Sequence, residues 1–238
     1  MGNATRPVII GLTGSIGMGK STAARMLKRA GVQVFDADLA VHRLMAAKGE
    51  AVPALADAFP ACLVSDGDGP RIDRACLSRH IAEHPEDLKK LEAILHPLVR
   101  KVQQQARRAA AIAHAPELVL DIPLLFETGG HRRCDLVVVV TAPAFLQRQR
   151  VMARPGMTAE KFAILLGKQL PDRQKRRQAD YVIQTGIGRK PAWRQMAALL
   201  RQVRSGRVRL NPRRLCPTHP PLFVPENPDR WTPSVRAS

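Results

Sequence analysis

The residues best suited to chemistry in this chain follow a short apolar run at positions 8–12. That run is rich in β-branched side chains and predicts a buried strand. The next residues match the pattern G-x-x-x-x-G-K-S, and good helix formers follow it. We expect Gly14, Gly17 and Gly19 to adopt positive φ and to form a nest of inward-pointing backbone N–H groups. The following helix would direct its positive end at the same point, so the segment predicts a triphosphate-binding loop.

Two side chains of this loop carry its charge chemistry. Lys20 would place a full positive charge at the β- and γ-phosphates, and the Ser21 hydroxyl can ligate Mg²⁺. A plain glycine-rich turn is the alternative interpretation. The predicted strand before the loop and the predicted helix after it are the context that the motif requires, and they favour a nucleoside triphosphate as the ligand.

An acidic step, Asp36-Ala37-Asp38, follows a second predicted strand at 32–35. In open α/β sheets ligands bind beyond the carboxyl ends of the strands, which would place these carboxylates beside the phosphates. Two residues apart on an extended chain, the carboxylates would share a face. Either of them can instead cap the helix predicted from residue 39. The position favours Asp38 as a general base for phosphoryl transfer.

Residues 145–178 are predicted to be helical and are strongly basic. Phosphoryl transfer needs water excluded and the charge of the transferred group neutralised, so this segment predicts a lid. Arg150 and Arg154 lie four residues apart and would share one helical face over the site. Most of the other charges are expected to form a solvated surface.

Two further residues have competing roles. Asp121 closes a predicted buried strand, where it can hold Mg²⁺ through water or cap the turn at Pro123. His96 lies in a helical pattern that continues through Pro97, and the pattern alone indicates an ordinary half-buried helix residue.

Strands that alternate with helices predict an α/β fold with a parallel sheet covered on both faces. The core is expected at 1–44 and 115–205, with the lid at about 145–178 inside it. Residues 45–114 form a helical insert by their apolar spacing. From 206 to 238 prolines are frequent and periodicity is lost, which predicts a flexible basic tail.

Composition limits the class of protein. The chain has 238 residues, of which 45% are hydrophobic, and no apolar run is long enough to span a bilayer. Four isolated cysteines without metal-site spacing predict reduced thiols, and with no apolar leader they predict a cytoplasmic protein. The net charge of +18 attracts polyanions, but an aromatic content of only 4% argues against stacked nucleic-acid bases.

Several segments, taken in order, resemble the dephospho-CoA kinase family. The resemblance covers roughly residues 6–203. The matching segments are Gly11-Leu12-Thr13-Gly14-Ser15-Ile16-Gly17-Met18-Gly19-Lys20-Ser21, Asp36-Ala37-Asp38, Leu95-His96-Pro97-Leu98-Val99, Asp121-Ile122-Pro123-Leu124-Leu125-Phe126-Glu127, the lid residues Gln147, Arg150, Arg154 and Gln169, and Ala179-Asp180-Tyr181-Val182-Ile183. The family usually has an asparagine after the last strand, where this chain has Gln184-Thr185-Gly186.

The resemblance implies a three-layer P-loop kinase fold with a parallel central sheet, a helical substrate-binding insert and a helical lid. It also implies transfer of the γ-phosphoryl group of ATP to the ribose 3′-hydroxyl of dephospho-CoA. In this comparison Asp38 is the base. The loop residues Gly14, Gly17, Met18, Gly19, Lys20, Ser21 and Thr22 bind ATP, Arg150 and Arg154 belong to the lid, and His96 and Leu124 contact the substrate.

Two rival functions are compatible with parts of the sequence. A shikimate-kinase-like enzyme would also pair a phosphate loop with a D-x-D step, but the long helical insert and the His-Pro segment argue against it. A nucleic-acid-binding NTPase would use the positive charge, but the scarcity of aromatic residues and the lack of a second nucleic-acid motif argue against that interpretation. We therefore expect a small-molecule substrate and neither a nucleic acid nor a membrane as a partner.

Overall fold

A computed structural model describes residues 6–208 of the chain, and the tail expected from residue 206 lies outside them from position 209 onward. The strands are β1 (Val8–Thr13), β2 (Gln33–Asp36), β3 (Leu63–Asp66), β4 (Gly69–Ile72), β5 (Glu117–Asp121), β6 (Leu136–Thr141) and β7 (Tyr181–Gln184). The helices are α1 (Lys20–Arg29), α2 (Ala37–Met45), α3 (Val52–Ala58), α4 (Arg74–Glu83), α5 (Leu88–Ile112), α6 (Ala144–Met152), α7 (Ala159–Gly167), α8 (Asp172–Gln178) and α9 (Arg189–Arg204).

Five strands form a parallel central sheet in the order β2-β5-β1-β6-β7. β1 lies in the middle of this order, between β5 and β6, and every residue of β5 and β6 is buried. Apolar side chains of β1 and β6 pack with α1 and α9 in one hydrophobic core. The fold thus places the loop after β1 at the carboxyl edge of the sheet, between the ends of β5 and β6.

The chain divides into two compact units, which among the described residues comprise 6–35 with 107–208, and 36–106. The second unit has its own hydrophobic core, built from α2, α3, α4, the β3–β4 hairpin and the first half of α5. Helix α5 begins in this unit and continues through Pro97 without a break. No helix of the described residues is long and apolar enough to cross a membrane.

The expectation of four reduced thiols is wrong for two of the cysteines. Cys62 and Cys76 form a disulfide within residues 36–106. Cys62 ends the 3₁₀ turn Pro60–Cys62 before the hairpin, and Cys76 lies in the first turn of α4 after it. The backbone N–H of Asp73, the N-cap of α4, donates to Cys62 O at 2.8 Å, which brings the two cysteines together. Cys134 is free and buried, and Cys216 lies beyond the described part of the chain.

Candidate active site

The predicted phosphate loop connects β1 to α1. Gly17 and Gly19 have φ of +78° and +90°, a region that favours glycine. Gly14 is not among the residues with positive φ, so the sequence-based expectation is wrong there. A side chain at Gly14 would instead place its Cβ 2.5 Å from Val140 Cγ2 and 2.7 Å from Val140 O, so this glycine is needed for close approach to β6.

Lys20 and Asp121 form an ion pair at the carboxyl edge of the sheet. Lys20 begins α1 and Asp121 ends β5, and Lys20 Nζ lies 2.7 Å from Asp121 Oδ1. The Lys20 side chain is 12% exposed and that of Asp121 is 3% exposed, so both charges are largely desolvated and each stabilises the other. The structure therefore joins two of the predicted site residues, with Ser21 and Thr22 in the first turn of the same helix.

The segment after Asp121 is fixed by backbone contacts. Thr13 Oγ1 donates to Pro123 O at 2.9 Å, which ties the last residue of β1 to this turn. Leu124 follows directly, and its carbonyl accepts hydrogen bonds from the backbone N–H and the hydroxyl of Thr128. Leu124 thus lies on a constrained turn beside the strand that carries Asp121.

The basic segment folds as three helices, α6, α7 and α8, and Arg150 on α6 reaches the loop. Its guanidinium donates to Gly17 O at 3.4 Å and to Thr185 O at 3.0 Å. Arg154 does not share its helical face, because α6 ends at Met152 and Arg154 is exposed beyond the helix. The structure brings one of the two predicted arginines to the loop.

Two glutamines hold the loop at the two peptide groups that flank Ile16, and sequence reasoning gave neither of them a role. Gln147 Nε2 donates to Ile16 O at 2.8 Å, and Ile16 N donates to Gln169 Oε1 at 2.9 Å. Because a backbone carbonyl must accept and a backbone N–H must donate, these contacts define the orientation of both amides. The resemblance marked both positions but indicated no contact.

Glu127 anchors the same basic segment to the turn that follows β5. Its Oε1 accepts from Leu170 N at 2.8 Å and lies 2.8 Å from Nζ of Lys175, which is fully buried. A lysine at this depth requires a counter-charge, so this pair fixes the start of α8. By holding Leu170, Glu127 also positions the neighbouring Gln169 to accept the hydrogen bond from Ile16 N.

In the unit formed by residues 36–106 the two acidic residues have different positions. Asp36 ends β2 and accepts from Leu39 N at 3.0 Å, so it is the N-cap of α2. Asp38 lies in the first turn of α2 rather than on extended chain. The helix begins at Ala37, two residues earlier than expected, because Asp36 makes the cap. The prediction that both carboxylates share an extended face is therefore wrong.

His96 lies on α5 and is half-buried. Burial, together with the positive charge of Arg100, lowers the pKa of His96 from its usual 6.5 to about 4. The imidazole is therefore neutral near pH 7, and it can both donate and accept a hydrogen bond.

Comparison with known proteins identifies relatives over most of the chain. The family model described as dephospho-CoA kinase matches residues 8–188. The dephospho-CoA kinase of Rhodospirillum rubrum is 50% identical over 84% of this chain and 93% of its own length. That of Mesorhizobium japonicum is 52% identical over 84% of this chain and 98% of its own length.

A solved structure from Thermus thermophilus is also similar to this chain. It superposes with a TM-score of 0.70 at 35% identity, covering 83% of this chain and 98% of its own. The structure of dephospho-CoA kinase from Campylobacter jejuni has a TM-score of 0.65 at 23% identity and covers 84% of this chain and 98% of its own, a likeness of fold.

Proposed function

The chain belongs to the dephospho-CoA kinase family, and we propose that Asp38, the phosphate loop and the helices after β6 carry out its reaction. The chain transfers the γ-phosphoryl group of ATP to the ribose 3′-hydroxyl of dephospho-CoA and releases coenzyme A and ADP. The observation that carries this conclusion is the family match over residues 8–188, which includes the phosphate loop, the acidic step and the lid.

In the proposed mechanism Asp38 is the general base. The 3′-hydroxyl oxygen forms a bond to the γ-phosphorus while the bond from that phosphorus to the β–γ bridging oxygen breaks. Asp38 accepts the hydroxyl proton, and ADP leaves with the bridging oxygen. The structure supports this role because Asp36, and not Asp38, caps α2. Capping was the alternative role for either carboxylate.

On the phosphate side, Lys20 neutralises charge on the β- and γ-phosphates, and Arg150 contributes a second positive charge from α6. The backbone N–H groups of Met18 and Thr22 donate to Ser15 O and Gly19 O, at 3.1 Å in each case, so the proposed contact of these two residues with ATP stays a prediction. Arg154 is exposed, and its proposed contact with the transferred group stays a prediction.

The oxygen donors at the loop fit Mg²⁺. The Ser21 hydroxyl and, through water, the Asp121 carboxylate would hold it, and hard oxygen ligands together with substrate phosphates are its usual environment in kinases. Oxygens of the ATP phosphates would supply further ligands. When bound, Mg²⁺ would neutralise charge that develops on the phosphate oxygens.

The acceptor is proposed to bind through the helical insert at 45–114, with His96 and Leu124 among the contacts. A neutral, half-buried imidazole suits a polar group of dephospho-CoA, because it can donate from one nitrogen and accept at the other. We also propose a cytoplasmic location, where ATP is abundant, and cell fractionation with an antibody to the chain tests it.

A coupled assay of ADP release tests the function. Dephospho-CoA, shikimate and single-stranded DNA are compared as stimulating partners at equal ATP and Mg²⁺. We expect stimulation by dephospho-CoA alone and a product heavier by one phosphoryl group in mass spectrometry. Stimulation by shikimate or DNA, with none by dephospho-CoA, would contradict the proposal.

A further inference from the structure

Thr185 is the first residue after β7 and lies in the segment Gln184-Thr185-Gly186, where this chain lacks the asparagine usual in the family. Its backbone N–H donates to Thr141 O at 2.8 Å and so continues the pairing of β7 with β6. Its hydroxyl lies 2.7 Å from Met18 O and 3.1 Å from Thr141 O. One half-buried hydroxyl thus joins the phosphate loop to the end of β6.

The same residue holds Arg150. Arg150 Nη1 donates to Thr185 Oγ1 at 3.3 Å, and Nη2 donates to Thr185 O at 3.0 Å. A hydroxyl has one proton and two lone pairs, so it can donate to Met18 O and accept from Arg150 at the same time. Thr185 therefore makes two of the contacts that orient this guanidinium, and Gly17 O provides a third.

The space around the Thr185 side chain is closely fitted to the loop. A Cβ added to Gly19 would lie 3.1 Å from Thr185 Oγ1 and 3.3 Å from Thr185 Cβ. Gly19 is also the residue that precedes Lys20 at the start of α1. A change in the Thr185 side chain would therefore alter the packing against Gly19, the residue that leads into Lys20.

We propose that Thr185 is a positioning residue, whose hydroxyl fixes the Met18–Gly19 turn of the phosphate loop and orients Arg150 toward it. The inference rests on the proposed function, since it assigns the loop to ATP and Arg150 to the lid. Thr185 acts through these groups and needs no contact with the substrates. Its hydroxyl is the necessary feature, because the methyl group can make neither hydrogen bond.

The test compares Thr185→Val, which has nearly the same shape, with Thr185→Ser, which keeps the hydroxyl. For Thr185→Val we expect kcat to fall about tenfold and KM for ATP to rise, because a part-buried carbonyl and a guanidinium lose a partner. KM for dephospho-CoA should stay unchanged. Thr185→Ser should retain kcat and both KM values within about threefold, since both of its hydrogen bonds can form.

Two measurements separate positioning from loss of folded protein. A smaller folded fraction lowers kcat and leaves both KM values unchanged, so a rise in KM for ATP alone identifies an effect on the loop. In an Arg150→Ala background, Thr185→Val should lower kcat by a smaller factor than in the wild type, because part of its effect acts through Arg150.

The proposal is overturned if Thr185→Val keeps wild-type kcat and KM for ATP, if only kcat falls, or if Thr185→Ser is as impaired as Thr185→Val. The wild-type chain is assayed in parallel. Failure of the wild type to phosphorylate dephospho-CoA would refute the proposed function instead, so the two failures are distinguishable.

Discussion

In residues 6–35 and 107–208, polar side chains reach across more than 100 residues of sequence to hold one loop. In residues 36–106 the polar contacts span shorter stretches, such as the 51 residues between Glu50 and Lys101. Gln147 and Gln169 contact Ile16 across 131 and 153 residues, and Lys20 meets Asp121 across 101. In the other unit Asp36 caps its own helix, and the disulfide joins cysteines 14 residues apart.

This difference indicates how each unit serves the reaction. A loop held from several strands and helices keeps its donors in place before ATP arrives, so less reorganisation is needed in the transition state. In the proposed mechanism the unit formed by residues 36–106 would contribute Asp38 from α2 and His96 from α5. Substitutions in 6–35 and 107–208 should therefore change ATP binding and the rate of phosphoryl transfer. Substitutions in 36–106 should change binding of the acceptor or removal of the proton from its hydroxyl.

The largest expected effect comes from the acidic step. Asp38→Asn should lower kcat by roughly 10²–10⁴, because asparagine cannot accept the hydroxyl proton. The affinity for ATP should stay the same or improve, since a negative charge is removed. Steady-state kinetics and ATP titration measure both quantities.

Asp36→Asn is the matched control for this change. Asparagine caps a helix about as well as aspartate, so α2 and the activity should be nearly unaffected. Loss of activity in Asp36→Asn with full activity in Asp38→Asn would show that the base is the other carboxylate.

Lys20→Met should lower kcat by about 10²–10³, because a charge that stabilises the transferred group is lost. The same change removes the lysine that forms an ion pair with the buried Asp121 carboxylate, which should lower the unfolding free energy by about 3–5 kcal/mol. Adding Asp121→Asn to Lys20→Met should recover much of that stability in urea unfolding without restoring the rate. A double variant with wild-type kcat would contradict the assignment of Lys20.

The same substitution at the two glutamines should have effects of different size. Gln147→Glu replaces the donor to Ile16 O with an acceptor at a position that is 6% exposed, and KM for ATP should rise about tenfold. Gln169→Glu keeps the oxygen that accepts from Ile16 N, so its effect should be smaller. Equal effects of the two variants would show that added negative charge, rather than the loop contact, is responsible.

The smallest expected effect concerns His96 and pH. Its pKa of about 4 in the folded protein lies below the 6.5 of an exposed histidine, so between these values the unfolded chain binds more protons. Stability should therefore fall as the pH is lowered from about 6.5 to about 4. His96→Gln should reduce this part of the pH dependence in urea unfolding. An unchanged dependence would mean that His96 is not buried as the structure describes.

The sequence predicted the elements of the sheet unit well, because buried strands such as 136–141 and the glycine-rich loop have strong local patterns. It also selected Lys20, Asp121 and Arg150 as candidates, and the structure pairs Lys20 with Asp121 and brings Arg150 to the loop. It could not distinguish Asp36 from Asp38 as a cap, since the start of a helix is uncertain by about two residues in pattern alone. The end of α6 before Arg154 was missed for the same reason.

Contacts between distant parts of the chain were beyond local reasoning. Gly14 is needed because Val140, on β6, would contact any side chain at that position. Nothing near Thr185 in the sequence indicates that Met18 and Arg150 are its partners. The pairing of Cys62 with Cys76 depends on the turn that brings them together, and the spacing of the cysteines in the sequence does not indicate it.

The most direct measurement of the proposed division between the two units is amide hydrogen exchange with each ligand added separately. A non-hydrolysable ATP analogue with Mg²⁺ should slow exchange in residues 14–22, and dephospho-CoA alone should slow exchange in 36–106, including the part of α5 around His96. If dephospho-CoA protects no peptide of 36–106, or if the ATP analogue protects this unit and leaves the loop unchanged, the account is contradicted.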